Sequence, residues 1–286
     1  MNAPSPTFNI SGTLQTVKVA GDVLYVGSKY DESKDIVIQF KKCMFNNLMT
    51  YYYVGLIQNN KSSALLNPDL PDARITTTGG DNIGPILLES GEWVGGNHSY
   101  ANQGVIKTAE TESFSFWADG VQLSDGDNKY VSDVEIRVLN KLFDPDTPTV
   151  VNDVVVSLDS VLCYEEVVYK IKHGSIHVAL SHTFQKQCNI STYYGMQSLT
   201  QGTQMLLPEG GAGFEDFIAK TTQYLYKSSS PNFRKFVIKG DGWYESAYLM
   251  PVGLGLRNYL EDTHPIFVSS GGKLYHRQIT TEVFNQ

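Results

Sequence analysis

Apolar and polar residues alternate with a period of two along most of this chain, in runs of roughly six to ten residues divided by turn chemistry. The first four runs cover 13–19, 22–30, 35–45 and 50–58, joined by turns at 20–22 and 31–34. From 59 to 88 the alternation loosens around Pro68, Pro71, Gly79 and Gly80, which predicts a long loop of the kind that carries function. Strands resume at 112–118 and 131–143. In the second of these Val134, Ile136 and Val138 share one face, while Glu135 and Arg137 share the other.

Runs at 150–157, 162–172, 175–184 and 189–199 read as a meander, with His173-Gly174 as a two-residue hairpin turn. In the run 175–184, Ile176, Val178, Leu180 and Phe184 point to the core together with His182. His177, Ser181 and Thr183 point away. In the return run Cys188, Ile190, Tyr194 and Met196 take one face; Asn189, Ser191, Tyr193 and Gln197 take the other. A three-residue turn at 185–187 would place His177 and Tyr193 on one sheet face, and a two-residue turn would reverse that parity. The segment 214–226 has helical spacing at Phe217, Ile218, Thr221 and Leu225. Runs 232–239 and 243–250 form a hairpin on Gly240-Asp241-Gly242, and 273–283 closes the chain.

About 14 antiparallel strands without a βαβ rhythm predict a large all-β, two-sheet β-sandwich of supersandwich type with long loops. The segment 59–104 is expected to cover one face or rim. Residues 1–286 read as one unit, with 144–149 (Asp144, Pro145, Pro148) as the place for a weak division. No 20–50-residue repeat is present, which argues against a propeller.

Composition narrows the classes. Of 286 residues 41% are apolar and 18% charged, 17 are Tyr, and the net charge is −8. That describes a globular, strand-rich chain without a basic stripe for nucleic acid. Cys43, Cys163 and Cys188 are odd in number and widely spaced, so neither a disulfide framework nor a zinc motif is expected, and Cys163 and Cys188 read as buried thiols. The first residues lack a signal-peptide pattern and no run is long enough to span a bilayer. The expectation is a protein made in the cytoplasm and either kept there or released by lysis, without membrane insertion.

Candidate chemistry centres on Gly95-Gly96-Asn97-His98-Ser99-Tyr100, where two glycines precede an amide, an imidazole, a hydroxyl and a phenol. A polysaccharide β-eliminase needs a Tyr or His base and a donor that neutralises the uronate carboxylate. His98, Tyr193 and His177 supply candidate catalytic groups. Asn97, Tyr100, Gln197 and Arg137 supply candidate donors, and Trp243 a stacking surface next to Tyr244. Trp117 reads as core. No spacing singles out a glycosidase carboxylate pair, and Glu165-Glu166, on opposite faces of a strand, read as solvated. The six His form no metal motif, Asp125-Gly126-Asp127 reads as a turn, and Gly253-Leu254-Gly255 is no nucleotide fingerprint, so no metal or other cofactor is expected.

Two pieces carry a resemblance. One runs from Asp81, Asn82, Ile83, Gly84 and Pro85 through Gly95, Gly96, Asn97 and His98 to Thr108, Ala109 and 117–120. The other is 169–198. Both resemble tail-associated proteins of phages and prophages, which implies a virion or host-adhesion component. The second piece is also similar to galactose-mutarotase-like sandwiches, a class that includes polysaccharide lyases, although the mutarotase catalytic Glu and paired His are not matched. The leading expectation is a virion protein that binds a cell-surface glycan and in an extended role cleaves it. A true polysaccharide lyase is the alternative and a purely structural virion protein the third. Expected partners are a polysaccharide, other virion proteins and a second copy in a homo-oligomer.

Overall fold

The computed structural model describes residues 14–69, 73–77, 83–207, 216–226, 228, 235–248, 265–270 and 272–284; the glycine-bearing segments at 78–82, 208–213 and 253–255 lie outside them. Among the described residues twenty-three strands follow one another: β1 (Gln15–Ala20), β2 (Val23–Lys29), β3 (Lys34–Cys43), β4 (Leu48–Gln58), β5 (Ala73–Thr77), β6 (Ile86–Leu88), β7 (Trp93–Val94), β8 (Ala109–Ala118), β9 (Val121–Gln122), β10 (Asn128–Val131), β11 (Val134–Phe143), β12 (Thr149–Val151), β13 (Val154–Ser157), β14 (Val161–Lys172), β15 (Ser175–Phe184), β16 (Cys188–Thr200), β17 (Gln204–Leu206), β18 (Ile218–Ala219), β19 (Gln223–Leu225), β20 (Lys235–Gly240), β21 (Trp243–Tyr248), β22 (Phe267–Ser270) and β23 (Lys273–Phe284). Among the described residues there is no α-helix, and none long and apolar enough to cross a membrane.

All strand pairings among the described residues are antiparallel. A 12-stranded sheet runs β10-β1-β2-β3-β4-β5-β16-β23-β22-β19, with β6 on β16 and β7 on β6. A five-stranded sheet runs β15-β14-β11-β8-β9, a four-stranded one β18-β17-β20-β21, and β12-β13 form a separate hairpin. Twelve twisted strands cannot stay flat, since each neighbour adds a rotation of about 20–25°. The sheets are accordingly disposed as a propeller-like ring of five blade-like units and not plainly as two stacked layers. The all-β expectation holds, while a single sandwich is not what the pairing plainly builds. The missing sequence repeat told against a ring because it assumed equivalent blades, and these sheets are unequal.

Three apolar cores hold the sheets together. The first lies between β1–β4 and the five-stranded sheet, where Phe40 meets Tyr169 edge-on at 5.3 Å. The second joins β6, β7 and β16 to the ends of β11 and β14 through Ile86, Leu88, Leu142, Leu162 and Tyr193. The third packs Met205, Phe236, Ile238 and Trp243 against Phe267 and Leu274. The alternation read in 134–143 and 175–184 matches the burial of β11 and β15 residue by residue.

Several expectations are corrected. β15 and β16 do not pair: β15 lies only on β14, whereas β16 sits between β5 and β6 on one side and β23 on the other. The turn at 185–187 is therefore a crossing between sheets, pinned by Lys186 Nζ 2.7 Å from Asp144. Near-continuous burial along β16 fits a central strand with partners on both edges. The helix expected at 214–226 is absent among its described residues. Ile218 and Leu225 belong to the short strands β18 and β19, and burial of Leu225 in the third core overrides the helical spacing. The loop at 59–104 contains β5, β6 and β7. The run at 131–143 breaks at Ser132 and Asp133, whose amides both donate to Asp119 Oδ1.

Candidate functional site

The glycine turn is held from below by Asn46. This fully buried amide donates to the carbonyls of Gly96 (2.9 Å) and His98 (2.8 Å) and accepts from the Thr108 amide at 3.1 Å. Thr108 Oγ1 also donates to the His98 carbonyl at 2.6 Å. Gly95 and Gly96 both take positive φ, +82° and +52°, which a side chain would resist. Asn97 Oδ1 accepts from the Phe45 amide at 2.8 Å, so the Asn97 side chain is part of the anchor.

What this rigid turn presents is a column of rings. The Trp93 indole stacks with the His98 imidazole (centroids 5.0 Å, planes 19° apart) and with the Tyr194 ring (5.4 Å, 20°). Tyr194 in turn meets Tyr275 at 4.6 Å. All four residues are half-buried. The polar fringe includes Asn102, whose Oδ1 is 3.2 Å from His98 Nδ1, and Glu92, which accepts from the Ala101 amide at 2.9 Å. Strand parity explains why Tyr194 and not Tyr193 joins the column. A bulge between Ile190 and Thr192 lets Ile190 and Tyr193, three residues apart, both enter the second core.

The residues singled out from sequence therefore fall into separate places. His98 lies in the column; Asn97 and Tyr100 belong to its loop, with Tyr100 opening a single 3-10 turn after Ser99. Tyr193 is 4% exposed and its hydroxyl donates to the Ile83 carbonyl at 3.2 Å. Burial, with Glu165 and Cys163 beside it, pushes its phenol well above the usual range. His177 is exposed on β15 opposite Lys170, on the outer face of the five-stranded sheet. Arg137 shares that outer face, 2.6 Å from Glu135 and 4.8 Å above the Trp117 ring, so Trp117 lies outside the core. Gln197 is buried on β16, across from Tyr275. Trp243 is 9% exposed in the third core, and its exposed neighbour is Tyr244.

Glu165 read as solvated, and the structure corrects this: while Glu166 on the opposite face is exposed, Glu165 is 2% exposed, accepts from Asn140 Nδ2 at 2.9 Å and sits 3.0 Å from His182 Nε2. Its parity with Val167, Tyr169 and Ile171 carried that signal. Glu245 accepts from Ser198 Oγ at 2.6 Å, with Thr200 beside it. Burial raises its carboxyl above the glutamate range and lowers the nearby Lys220 below the lysine range. Cys43, Cys163 and Cys188 are buried, and burial pushes the Cys188 thiol up to about 11. Among the described residues no three His, Cys, Asp or Glu gather as a metal site.

A column of half-buried rings with polar edges is built to hold an amphipathic ring by stacking and hydrogen bonding. It does not bring a base and a carboxylate-neutralising cation together. No family model, no curated protein and no solved structure matches this chain.

Proposed function

We propose that this protein is a glycan-binding component of a phage-type particle, and that a pyranose ring seats on Trp93. The observation that carries the reading is the stacking of the half-buried Trp93 with both His98 and Tyr194. Indole is the best sugar platform among the side chains, and His98 occupies the face that a sugar would take. The imidazole is held there by one stack and one exposed contact to Asn102, so a sugar displaces it at small cost. Binding without cleavage is favoured over β-elimination because the Tyr193 phenol is buried and already bonded to the Ile83 carbonyl. The resemblance of the segments around 80–200 to tail-associated proteins supports a place in the virion, reached after lysis. On this reading the first half of the large sheet and the five-stranded sheet form a sandwich-like scaffold, and the other sheets extend it.

The test is titration of the protein against a panel of cell-surface polysaccharides. Trp93→Ala is expected to lower affinity about tenfold or more, at the value of an aromatic anchor. His98→Ala should leave affinity unchanged or raise it, and ultraviolet absorbance should show no unsaturated uronate. Equal binding by wild type and Trp93→Ala, or release of unsaturated product, overturns the reading.

A further inference from the structure

Ile38 and Phe40 of β3 enter the first core, so the period of two turns Gln39 and Lys41 to the opposite, outer face of the large sheet. The register of β3 with β4 shifts there: Gln39 pairs with Tyr53, and Phe40 with Tyr51. Tyr51 packs against the first core. Tyr52 is the extra residue of a bulge, a device that re-aims a side chain. Two consecutive tyrosines thereby reach Arg74 of the neighbouring β5, which stands next to Gly55.

Two cations converge on this pair of rings. Lys41 Nζ lies 3.9 Å from the Tyr52 centroid, and the Arg74 guanidinium carbon lies 4.8 Å from that of Tyr53 and 5.9 Å from that of Tyr52. Lys41 is half-buried and Arg74 exposed. Elsewhere cations are matched by carboxylates: Lys29 by Asp35, Lys141 by Glu112, Lys172 by Asp133 and Lys186 by Asp144. Lys41 and Arg74 form no ion pair among the described residues. Asp22 and Asp125 belong to the β1–β2 turn, where Asp125 accepts from the Gly21 amide, and Asp69 precedes β5; none of the three pairs with either cation. A ring quadrupole positions a cation without cancelling its charge, as a carboxylate would. In a chain of net charge −8, two unmatched cations on one aromatic pad are a local site for anions, set against the average field of the molecule.

Trp93 and Tyr275 lie on this same outer face, because their neighbours Val94 and Leu274 enter cores on the other. β5 and β16 separate β4 from β23, a lateral distance of about 15 Å. A short run of sugars covers that span. We propose that the glycan is acidic, and that Lys41 and Arg74, held on Tyr52 and Tyr53, meet carboxylate or sulfate groups of sugars adjoining the one on Trp93. This rests on the glycan-binding reading for its ligand. A nucleic acid fits less well: bases need open ring faces, whereas these rings already carry cations, and two cations match few phosphates.

Titration calorimetry of the whole chain against matched polymers tests this, with polygalacturonate beside its methyl ester and dextran sulfate beside dextran. The acidic member of at least one pair is expected to bind about tenfold tighter at low salt, an advantage that shrinks as salt is raised. The pair that responds distinguishes carboxylate from sulfate. Lys41→Gln/Arg74→Gln should abolish the preference, and Lys41→Arg/Arg74→Lys, which keeps both charges, should retain it. Equal affinity for acidic and neutral polymers, a preference that survives Lys41→Gln/Arg74→Gln, or single-stranded DNA bound as tightly as the acidic glycan overturns this inference and leaves the Trp93 reading standing. A preference that needs Lys41 and Arg74 while Trp93→Ala binds like wild type overturns the Trp93 platform and keeps the acidic site. Binding to none of the polymers overturns both.

Discussion

Glu165 and His182 face each other directly across β14 and β15, with Oε2 and Nε2 3.0 Å apart and the carboxylate almost fully buried. The second carboxylate oxygen takes the Asn140 amide, and Asn140 Oδ1 accepts from Thr111 Oγ1 at 2.7 Å. Thr111 accepts in turn from the Met49 amide at 2.8 Å on the opposing sheet. A polar chain thus crosses the space between the sheets next to the second core. Removing His182 would leave the carboxylate buried with one partner fewer, which is worse than never having had the pair.

His182→Ala is therefore expected to cost about 3 kcal/mol, and Glu165→Gln, which keeps the Asn140 contact, clearly less. Tyr193→Phe removes one neutral hydrogen bond and should cost about 1 kcal/mol while leaving glycan binding unchanged. Urea denaturation of the three variants checks the ranking. A His182→Ala variant as stable as wild type would show that the pair contributes nothing.

Gly84 lies at φ +74° against β16, and a Cβ there would fall on the Tyr194 carbonyl oxygen. Backbone cannot step aside as a side-chain tip can. Gly84→Ala is expected to lose about 3 kcal/mol or more and to displace Tyr194 from Trp93. Tryptophan fluorescence and thermal unfolding report both effects. A normal melting temperature with unaltered fluorescence would contradict the close approach.

Glu245 sets a pH dependence. Burial raises its carboxyl, with Ser198, Thr200 and Lys220 acting in the other direction and the buried Tyr51 nearby. A carboxyl raised in the fold favours the protonated state, so its contribution is complete below the ordinary glutamate range. That contribution is lost as pH rises through the folded value. Lys220, lowered in the fold, carries a constant cost throughout that acid and neutral window. Glu245→Gln should thus gain on wild type in melting temperature as pH increases from the acid side. Parallel curves for the two proteins would remove the effect.

Much of the architecture was legible from residue order. The alternation of Val134, Ile136 and Val138 and of Ile176, Val178 and Leu180 marks core faces that the sheets then use. The glycine turn before His98 marks a rigid loop, although its organiser, Asn46, is an unremarkable amide 49 residues or more away. Tyr193 and Tyr194 were assigned to the wrong faces because one bulge shifts the parity, and a bulge has no signature in a run of Ile, Ser and Thr. Trp117 and Trp243 exchanged their expected places for a similar reason: which strand face meets another sheet depends on which sheets stack.

The residue order by itself determined that this chain forms strands, where most of them turn, and which side chains within one strand share a face, because these follow from local backbone chemistry and a period of two. Only the tertiary structure decided that β15 and β16 part into different sheets, that Trp93 stacks with both His98 and Tyr194, and that Glu165 is buried against His182. Those relations depend on long-range pairing, where strands of similar pattern compete and the outcome is set by the summed packing of three cores.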